Sequence, residues 1–393
     1  MRLSVALVVA GVSLLLVGTT GGAPPRPLIL GVSWEGSGQL GWMDARTLAP
    51  GGRRVDIGPP PKGVAARSPD GRTIALGSGT AVELRFVDVR AMRASGRLLV
   101  RGAGFLLDAI WPRPNRMIAL RSGEEAEILV VDPSAHRVLE RQPLEGHVVS
   151  VAPAGKRLVA LLAPKGTIGE ARLMVVGVGG GIRTMPLPQV SAGFTPPRTE
   201  QDAGRQASPG LAVNPRGTRA VIVTPDTLFE VDLDGLAVTR HHRLAARTPA
   251  SVHKVIEGWG RRVVWLGEDA AAVFGWTDSI EGDGDQSTHA TTGVEFIDVT
   301  SGAQRSLDST ATGAMRVRDV LFTFGGSALR GYDLAGKLRF ELLRGQDTGY
   351  VQQARRWIYV GRDNSTKFTI VDAQAGRVVG TARTPSPIIV LGS

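Results

Sequence analysis

Residues 76–100 read LGSGTAVELRFVDVRAMRASGRLLV, and much of the fold can be predicted from this one segment. A β-rich run passes through a glycine turn into a strand ending in Val87-Asp88-Val89, and a second turn leads into another strand. An aspartate at such a turn can bond to the turn backbone, and glycine adopts the positive φ that tight turns require. The segment therefore predicts antiparallel strands joined by short turns.

The same cadence returns along the chain, each time with an aspartate after a β-branched or aromatic run. It recurs at 126–139 (AEILVVDPSAHRVL), 227–239 (TLFEVDLDGLAVT), 294–307 (VEFIDVTSGAQRSL), 329–340 (LRGYDLAGKLRF) and 367–379 (KFTIVDAQAGRVV). A second element, made of a strand, a proline-centred turn and another strand, lies upstream at 109–120, 149–161 and 211–223. Together the two elements predict a repeated four-stranded meander.

Eight such units can be placed, with starts near 28, 63, 106, 147, 210, 253, 315 and 349. Their spacing matches the ~40–50 residues of propeller blades. The first unit lacks one strand, and the apolar residues 387–392 (PIIVLG) follow the last unit. We therefore predict an all-β protein with a single β-propeller over residues 28–392, of eight four-stranded blades, with seven as the alternative. The C-terminal strand is expected to complete the N-terminal blade and so remove the open edges.

Two short segments resemble known propeller repeats. SPDGRTIAL (68–76) resembles the turn of the WD40-like repeats of bacterial envelope proteins, and IVDAQAGRVVGT (370–381) is similar to YVTN and quinoprotein-type repeats. The Trp-Asp ending of WD40 blades is absent. The resemblance implies a secreted bacterial propeller repeat protein, and it names no function because many unrelated propellers share these motifs.

The composition fits a turn-rich β protein with a large apolar core. Glycine is 51 of 393 residues, roughly twice its average usage, and 42% of residues are apolar. Cysteine is absent, so stability has to come from packing and ring closure rather than from disulfides.

The N-terminus predicts export. A single charge at Arg2 precedes an apolar run from Leu3 to Val17, and small residues follow up to Ala23. The run has the length of a signal-peptide core and is short of the ~20 residues of a membrane helix. We expect a signal peptide over 1–22, cleaved between Thr20 and Gly22, and a secreted or cell-envelope location; an uncleaved N-terminal anchor is the alternative. No later segment is long and apolar enough to span a bilayer.

The formal net charge is +10, and only six of the 46 basic residues are lysine. Arginine forms bidentate contacts with carboxylate and phosphate, which suits an anionic partner such as a cell-envelope polymer. A high-GC genome explains the same bias. The basic residues are scattered and form no aromatic-interleaved stripe, so the sequence predicts no specific nucleic-acid binding. We expect a monomer.

Two insertions interrupt the repeats, at 188–208 between the fourth and fifth units and at 268–292 within the sixth. Both are predicted as long loops on one face of the ring, and loops of this length are commonly functional. From them we select Arg198, Arg205, Trp276 and His289 as candidate residues of a binding face.

The insertion at 268–292 also contains Asp278, Glu281, Asp283 and Asp285, a weak candidate for calcium because oxygen ligands are closely spaced on a glycine-rich loop. The spacing misses the twelve-residue calcium-loop pattern, and a solvated acidic loop is the alternative. His241, His242 and His253 do not predict zinc, since adjacent residues of a strand point to opposite faces.

No sequence motif of a hydrolase nucleophile, a zinc protease or a sialidase is present. The leading hypothesis is a non-catalytic extracytoplasmic recognition or scaffold protein that binds a protein, a peptide or an anionic glycopolymer on one face. The alternatives are a propeller enzyme with a central-funnel site (a lactonase, a lyase or a quinone-dependent dehydrogenase) and a purely structural envelope component.

Overall fold

The computed structural model describes residues 27–35, 37–59, 61–78, 82–102, 104–123, 125–197, 204–245, 258–281, 286–362 and 364–391. The predicted signal peptide lies outside the described residues and stays a prediction. Within these ranges the chain forms strands and turns and no helix. Accordingly, none of the described residues belongs to a helix that could cross a membrane.

Six sheets are separate antiparallel four-stranded blades. The first combines β1 (Leu28–Glu35), β2 (Ser37–Asp44) and β3 (Pro50–Gly58) with the last strand, β33 (Ile388–Leu391). The other five are β4 (Pro61–Arg67), β5 (Thr73–Ser78), β6 (Glu83–Asp88), β7 (Arg93–Leu99); β8 (Phe105–Arg113), β9 (Arg116–Ser122), β10 (Ala126–Asp132), β11 (Arg137–Leu144); β17 (Gly210–Val213), β18 (Arg219–Val223), β19 (Thr227–Asp232), β20 (Ala237–Arg243); β25 (Gly313–Val317), β26 (Val320–Phe324), β27 (Leu329–Asp333), β28 (Leu338–Leu342); and β29 (Tyr350–Ala354), β30 (Trp357–Gly361), β31 (Lys367–Asp372), β32 (Arg377–Arg383).

The remaining strands form one nine-stranded sheet. Its first half is β12 (His147–Ala154), β13 (Arg157–Ala163), β14 (Ile168–Val176) and β15 (Ile182–Thr195), and its second half is β21 (Gly258–Trp265), β22 (Ala270–Glu281), β23 (Gln286–Asp298) and β24 (Gln304–Asp308). The short strand β16 (Arg205–Ser208) joins the halves, antiparallel to β15 and parallel to β21. The predicted count of eight separate blades, and the alternative of seven, are therefore wrong: six blades are separate, because β16 joins the other two runs of strands into one sheet.

Apolar side chains fill the space between successive sheets all the way round the ring. The blade β17–β20 packs on the first half of the nine-stranded sheet through Ile222 and on the second half through Val223, which lies one residue on and faces the other way. The circle is completed where Met43 of the first blade packs with Trp357 of the last. The predicted all-β single propeller is thus confirmed.

The predicted closure by the C-terminal strand is also confirmed. Strand β33 pairs antiparallel with β1, from Leu30 opposite Leu391 to Ser33 opposite Ile388. The Gln352 side chain on β29 donates to the Ile388 carbonyl at 3.1 Å and accepts from the Val390 N–H at 2.5 Å. This amide therefore binds the backbone of the closing strand to the neighbouring blade.

The two insertions predicted as long loops consist largely of strand. Strand β15 continues to Thr195, where its end pairs with the start of β14 and with β16. In the second insertion β22 and β23 pair from Ala270 opposite Asp298 out to Glu281 opposite Gln286. The first segment pairs with β14 and β21, outside the insertion, whereas the second pairs with itself as a hairpin. Their polar, proline- and glycine-containing sequences gave no local strand signal.

We expect deletion of residues 385–393 to lower the unfolding midpoint strongly. The deletion removes the pairing partner of β1 and the side chains of Ile388, Val390 and Leu391, which are at most 7% exposed. Burying each such side chain contributes about 1.5–3 kcal/mol, so the loss approaches the whole stability of an ordinary domain.

The matched control is Val378→Ala on the outer strand β32, where the side chain is 42% exposed and the expected change is within about 0.5 kcal/mol. Thermal denaturation followed by far-UV circular dichroism measures both. A truncated protein with the wild-type midpoint would refute the closure.

Candidate central cavity

A cavity of about 500 Å³ opens between the innermost strands on one side of the ring. Its wall is contributed by β8, β12, β17 and β21, with β16 and β22 completing it. The cavity exposes more polar than apolar surface, and its lining residues are Leu107, Val148, Val149, Ser150, Val151, Gln206, Ser208, Gly210, Leu211, Gly260, Arg261, Arg262, Val263, Val264, Phe274 and Trp276. A volume of this size is within the range of small-molecule and peptide side-chain sites.

One side of the cavity depends on a close approach between Trp276 and β21. A Cβ atom at Gly260 would lie 2.6 Å from the Trp276 indole, so only glycine leaves room for the ring there. Gly260 also pairs with Ser208 of β16, which places the bridging strand beside the same ring. The segment Gly258-Trp259-Gly260 thus fixes both Trp276 and β16 at the cavity wall.

Two consecutive arginines on β21 have different roles. Arg261 is 7% exposed and donates to the carbonyls of Gly260 at 3.1 Å and Trp276 at 2.8 Å. Burial lowers the pKa of Arg261, and the charge of Glu295 opposes that shift. Arg262, the next residue along the strand, is exposed and forms no ion pair with any described carboxylate. Arg262 is therefore the available cation of the cavity wall.

The inner strands carry few other charges. On β8, Asp108 stands beside the lining residue Leu107, and burial raises the pKa of Asp108 while the Ala109 N–H at 2.7 Å opposes the rise. On β25, Arg316 is held by the carbonyls of Arg318 and Trp265. Within the described part of the chain, no three His, Asp or Glu side chains come together in a way that could hold a metal ion.

Many of the other arginines form ion pairs with buried carboxylates. Three of these carboxylates are glutamates on the third strands of their blades. Glu83, Glu127 and Glu230 are at most 7% exposed. Each is bound by two arginines at 2.6–3.0 Å: Glu83 by Arg85 and Arg97, Glu127 by Arg121 and Arg141, and Glu230 by Arg219 and Arg240. Part of the arginine excess in the sequence is thus structural, since a buried carboxylate needs a charged and hydrogen-bonded partner.

A fourth ionic cluster centres on Asp308 at the end of β24. Its Oδ2 accepts from Arg330 at 2.6 Å and from the Thr323 hydroxyl at 2.8 Å, and its Oδ1 accepts from the Thr310 N–H and hydroxyl. Burial on its own raises the pKa of Asp308, but these donors outweigh it and the net pKa lies below the ordinary value.

A second groove, also about 500 Å³, adjoins the cavity. Gln206 lines both, and His147 of the groove precedes Val148 of the cavity. The groove is lined by Gly123, Gly146, His147, Pro164, Lys165, Gly166, Phe194, Pro196 and Gln206. Gly123 and Lys165 belong to links between second and third strands, so the groove lies on the face that carries the two insertions.

The structure does not bring the predicted binding residues together in one site. Trp276 lines the cavity, whereas Arg205 is exposed on β16 and lines neither the cavity nor the groove. The backbone of His289 on β23 lies opposite Asp278 on β22. Arg198 lies outside the described residues.

Two of the four calcium candidates lie within the described residues. Asp278 and Glu281 belong to β22, while Asp283 and Asp285 lie outside the described residues. The calcium site therefore stays a prediction. The neighbouring histidines point apart as expected, since His241 packs on Phe229 and His242 bonds the Val299 carbonyl at 2.8 Å; His253 lies outside the described residues.

Comparison with known proteins supports the fold and nothing finer. No family model matches the chain, and no curated relative does. Among solved structures, the dihydro-heme d1 dehydrogenase NirN in complex with DHE matches with a TM-score of 0.61 and 14% identity, covering 93% of this chain and 76% of that one. The apo AztD of Citrobacter koseri matches with a TM-score of 0.55 and 14% identity, covering 93% and 97%. The chain shares the β-propeller fold with them. At this identity the likeness carries no ligand or activity over.

Sequence reasoning missed Arg262, Gln206 and Phe194. The Gly-Trp-Gly segment at 258–260, followed by two arginines, was the available signal, because paired glycines in a strand indicate a close approach of another group. Gln206 and Phe194 had no such signal, since their positions depend on the non-local pairing of β15, β16 and β21.

We expect Asp308→Asn to lower stability at pH 7 by about 1–3 kcal/mol, because it weakens a charged acceptor that is buried among donors. Since the folded-state pKa is depressed, the contribution of Asp308 is complete above about pH 4 and is lost as pH falls through the lower folded value. The difference in midpoint between wild type and variant should therefore narrow below about pH 4.

Thermal denaturation from pH 7 to about pH 2.5 measures this. The control is Asp319→Asn, whose side chain is 65% exposed in its pair with Arg339 and should have little effect. A wild-type-to-Asp308→Asn difference that stays constant over the whole range would contradict the electrostatic origin.

Proposed function

We propose that the protein is an extracytoplasmic, non-catalytic recognition protein that binds an anionic partner at the central cavity. The observation that carries the proposal is the exposed Arg262 in a wall whose described lining contains two arginines and no carboxylate. A cation in a partly desolvated cavity wall attracts an anionic group more strongly than a surface cation does.

Binding is favoured over the alternative of a propeller enzyme by the character of the described wall. Five valines and two leucines line it beside the two arginines, Ser150, Gln206 and Ser208. General acid–base chemistry needs titratable groups within hydrogen-bond reach of a bound substrate. The wall instead combines apolar side chains with convergent polar groups among which no carboxylate is described, an arrangement that suits binding.

Export belongs to the proposal and depends on the pattern of residues 1–23. Expressed with its own leader in a bacterial host, the protein is expected in the extracytoplasmic fraction with a mature N-terminus at Gly21 or Gly22. Cell fractionation and intact-mass spectrometry measure both. Recovery in the envelope with Met1 retained would favour the uncleaved anchor, and recovery in the cytoplasm would contradict export.

We expect Arg262→Gln to weaken binding of a model polyanion, polygalacturonate, about tenfold, because the substitution removes the exposed charge of the cavity wall. Isothermal titration calorimetry at low and at physiological salt measures the dissociation constant. The control is Arg137→Gln at the start of β11, an exposed arginine beside a turn between third and fourth strands on the opposite face.

Binding should weaken with salt for wild type and much less for Arg262→Gln, since the charge that salt screens is gone. Equal weakening by Arg262→Gln and Arg137→Gln would mean that the polyanion senses only the overall net charge, and the proposed site would be wrong.

A further inference from the structure

We infer that the anionic partner is an extended peptide segment of another protein, with an acidic side chain in the central cavity and an apolar side chain in the adjoining groove beside Phe194. The inference rests on the proposed function and names the class of its partner. It is carried by the continuity of the two spaces, by their charge and by two exposed phenylalanines on the same face.

The cavity and the groove form one continuous surface. Gln206 lies in both linings, and the consecutive residues His147 and Val148 belong one to each. A strand spans roughly 3.3 Å per residue and alternates its side chains. An extended segment passing Gln206 can therefore place one side chain in each space, whereas a compact small molecule would occupy only one.

The charge of this surface selects acidic partners. Lys165 lines the groove, Arg262 lines the cavity, and the described linings of both contain no carboxylate. Glu145, next to the groove, is held by Arg172 at 3.1 Å and so is partly neutralised. A peptide with acidic side chains finds complementary charge on both sides of Gln206.

The apolar groove favours a peptide over a glycopolymer. Pro164, Pro196 and Phe194 give the groove an apolar floor that offers no partner to sugar hydroxyls, and a hydroxyl that loses water without gaining a hydrogen bond is costly. Aliphatic or aromatic side chains of a peptide would bury favourably against this floor.

Two phenylalanines are exposed where a partner would lie. Phe194 is 44% exposed and Phe105 is 49% exposed. The Phe194 ring lies against Gly204, so closely that a Cβ there would be 2.8 Å from the ring. Phe105 pairs with Ser122 at the start of β8, next to Gly123 of the groove. Exposed aromatic side chains of this kind are common anchors of protein interfaces.

The test uses the full chain and a phage-displayed library of random dodecapeptides. We expect selection to enrich sequences that combine Asp or Glu with Leu, Ile, Phe or Trp. A synthetic copy of the most enriched peptide, labelled for fluorescence anisotropy, should bind Phe194→Ser about tenfold more weakly than wild type. Arg262→Gln should weaken the same peptide, and a copy with Gln for each acidic residue should bind poorly.

The controls separate this inference from the proposed function. Leu338→Ser, at a side chain that is 49% exposed on an outer strand, should leave peptide binding unchanged. Phe194→Ser should leave polygalacturonate binding unchanged, because that polymer has no apolar side chain for the groove. Midpoints of unfolding near the wild-type value show that each variant is folded.

Failure to enrich any peptide, or an enriched peptide that binds Phe194→Ser as well as wild type, would overturn the peptide assignment. If polygalacturonate still depends on Arg262 in that case, the proposed function survives and the partner is a glycopolymer. If neither probe depends on Arg262, the proposed function fails as well.

Discussion

The ring depends on a noncovalent closure between its two chain ends. Strand β33 supplies the inner strand that the first blade lacks, and Gln352 binds its backbone from the neighbouring blade. The Tyr359 hydroxyl adds a second bond across the same seam, to the Ala45 carbonyl at 3.0 Å, and burial raises the pKa of that hydroxyl. With no cysteine in the chain, no disulfide can hold this seam. The packing between all the other blades therefore depends on this seam, where the two chain ends meet.

The high arginine content has two physical meanings in this fold. Among the buried carboxylates, Glu230 binds arginines from the two adjacent strands β18 and β20, and Asp308 binds Arg330 on β27 of the next blade. Removing one partner of such a group is costly because the other charge stays buried. Arg262 differs because it faces the central cavity with no described carboxylate beside it. Composition could not separate structural arginines from a binding arginine, because the difference depends on which residue lies beside each arginine in the folded chain.

The part of the structure that could be predicted depends on interactions between residues close together in the sequence. Asp88, Asp132 and Asp372 each accept hydrogen bonds from the turn backbone two and three residues on, as the repeated turn motif predicts. Closure followed from counting strands, because one apolar segment was missing at the start and one was left at the end. The extension of β15 and the whole of β16 were not predictable in this way. The end of β15 takes its strand conformation from the start of β14, and β16 takes its own in part from β21, which lies far along the chain.

Strand β16, which the sequence did not predict, contributes residues to the candidate site. β16 joins the halves of the nine-stranded sheet, and its alternate residues Gln206 and Ser208 face the cavity while Ala207 is buried. Its short pairing with β21 is parallel, a weaker arrangement per residue than the antiparallel pairs elsewhere in the ring. A partner that contacts Gln206 from both the cavity and the groove therefore also holds β16 between β15 and β21. Binding at this face and the packing of β16 between the two halves thus depend on the same few residues, and a partner that binds the folded sheet there stabilises it.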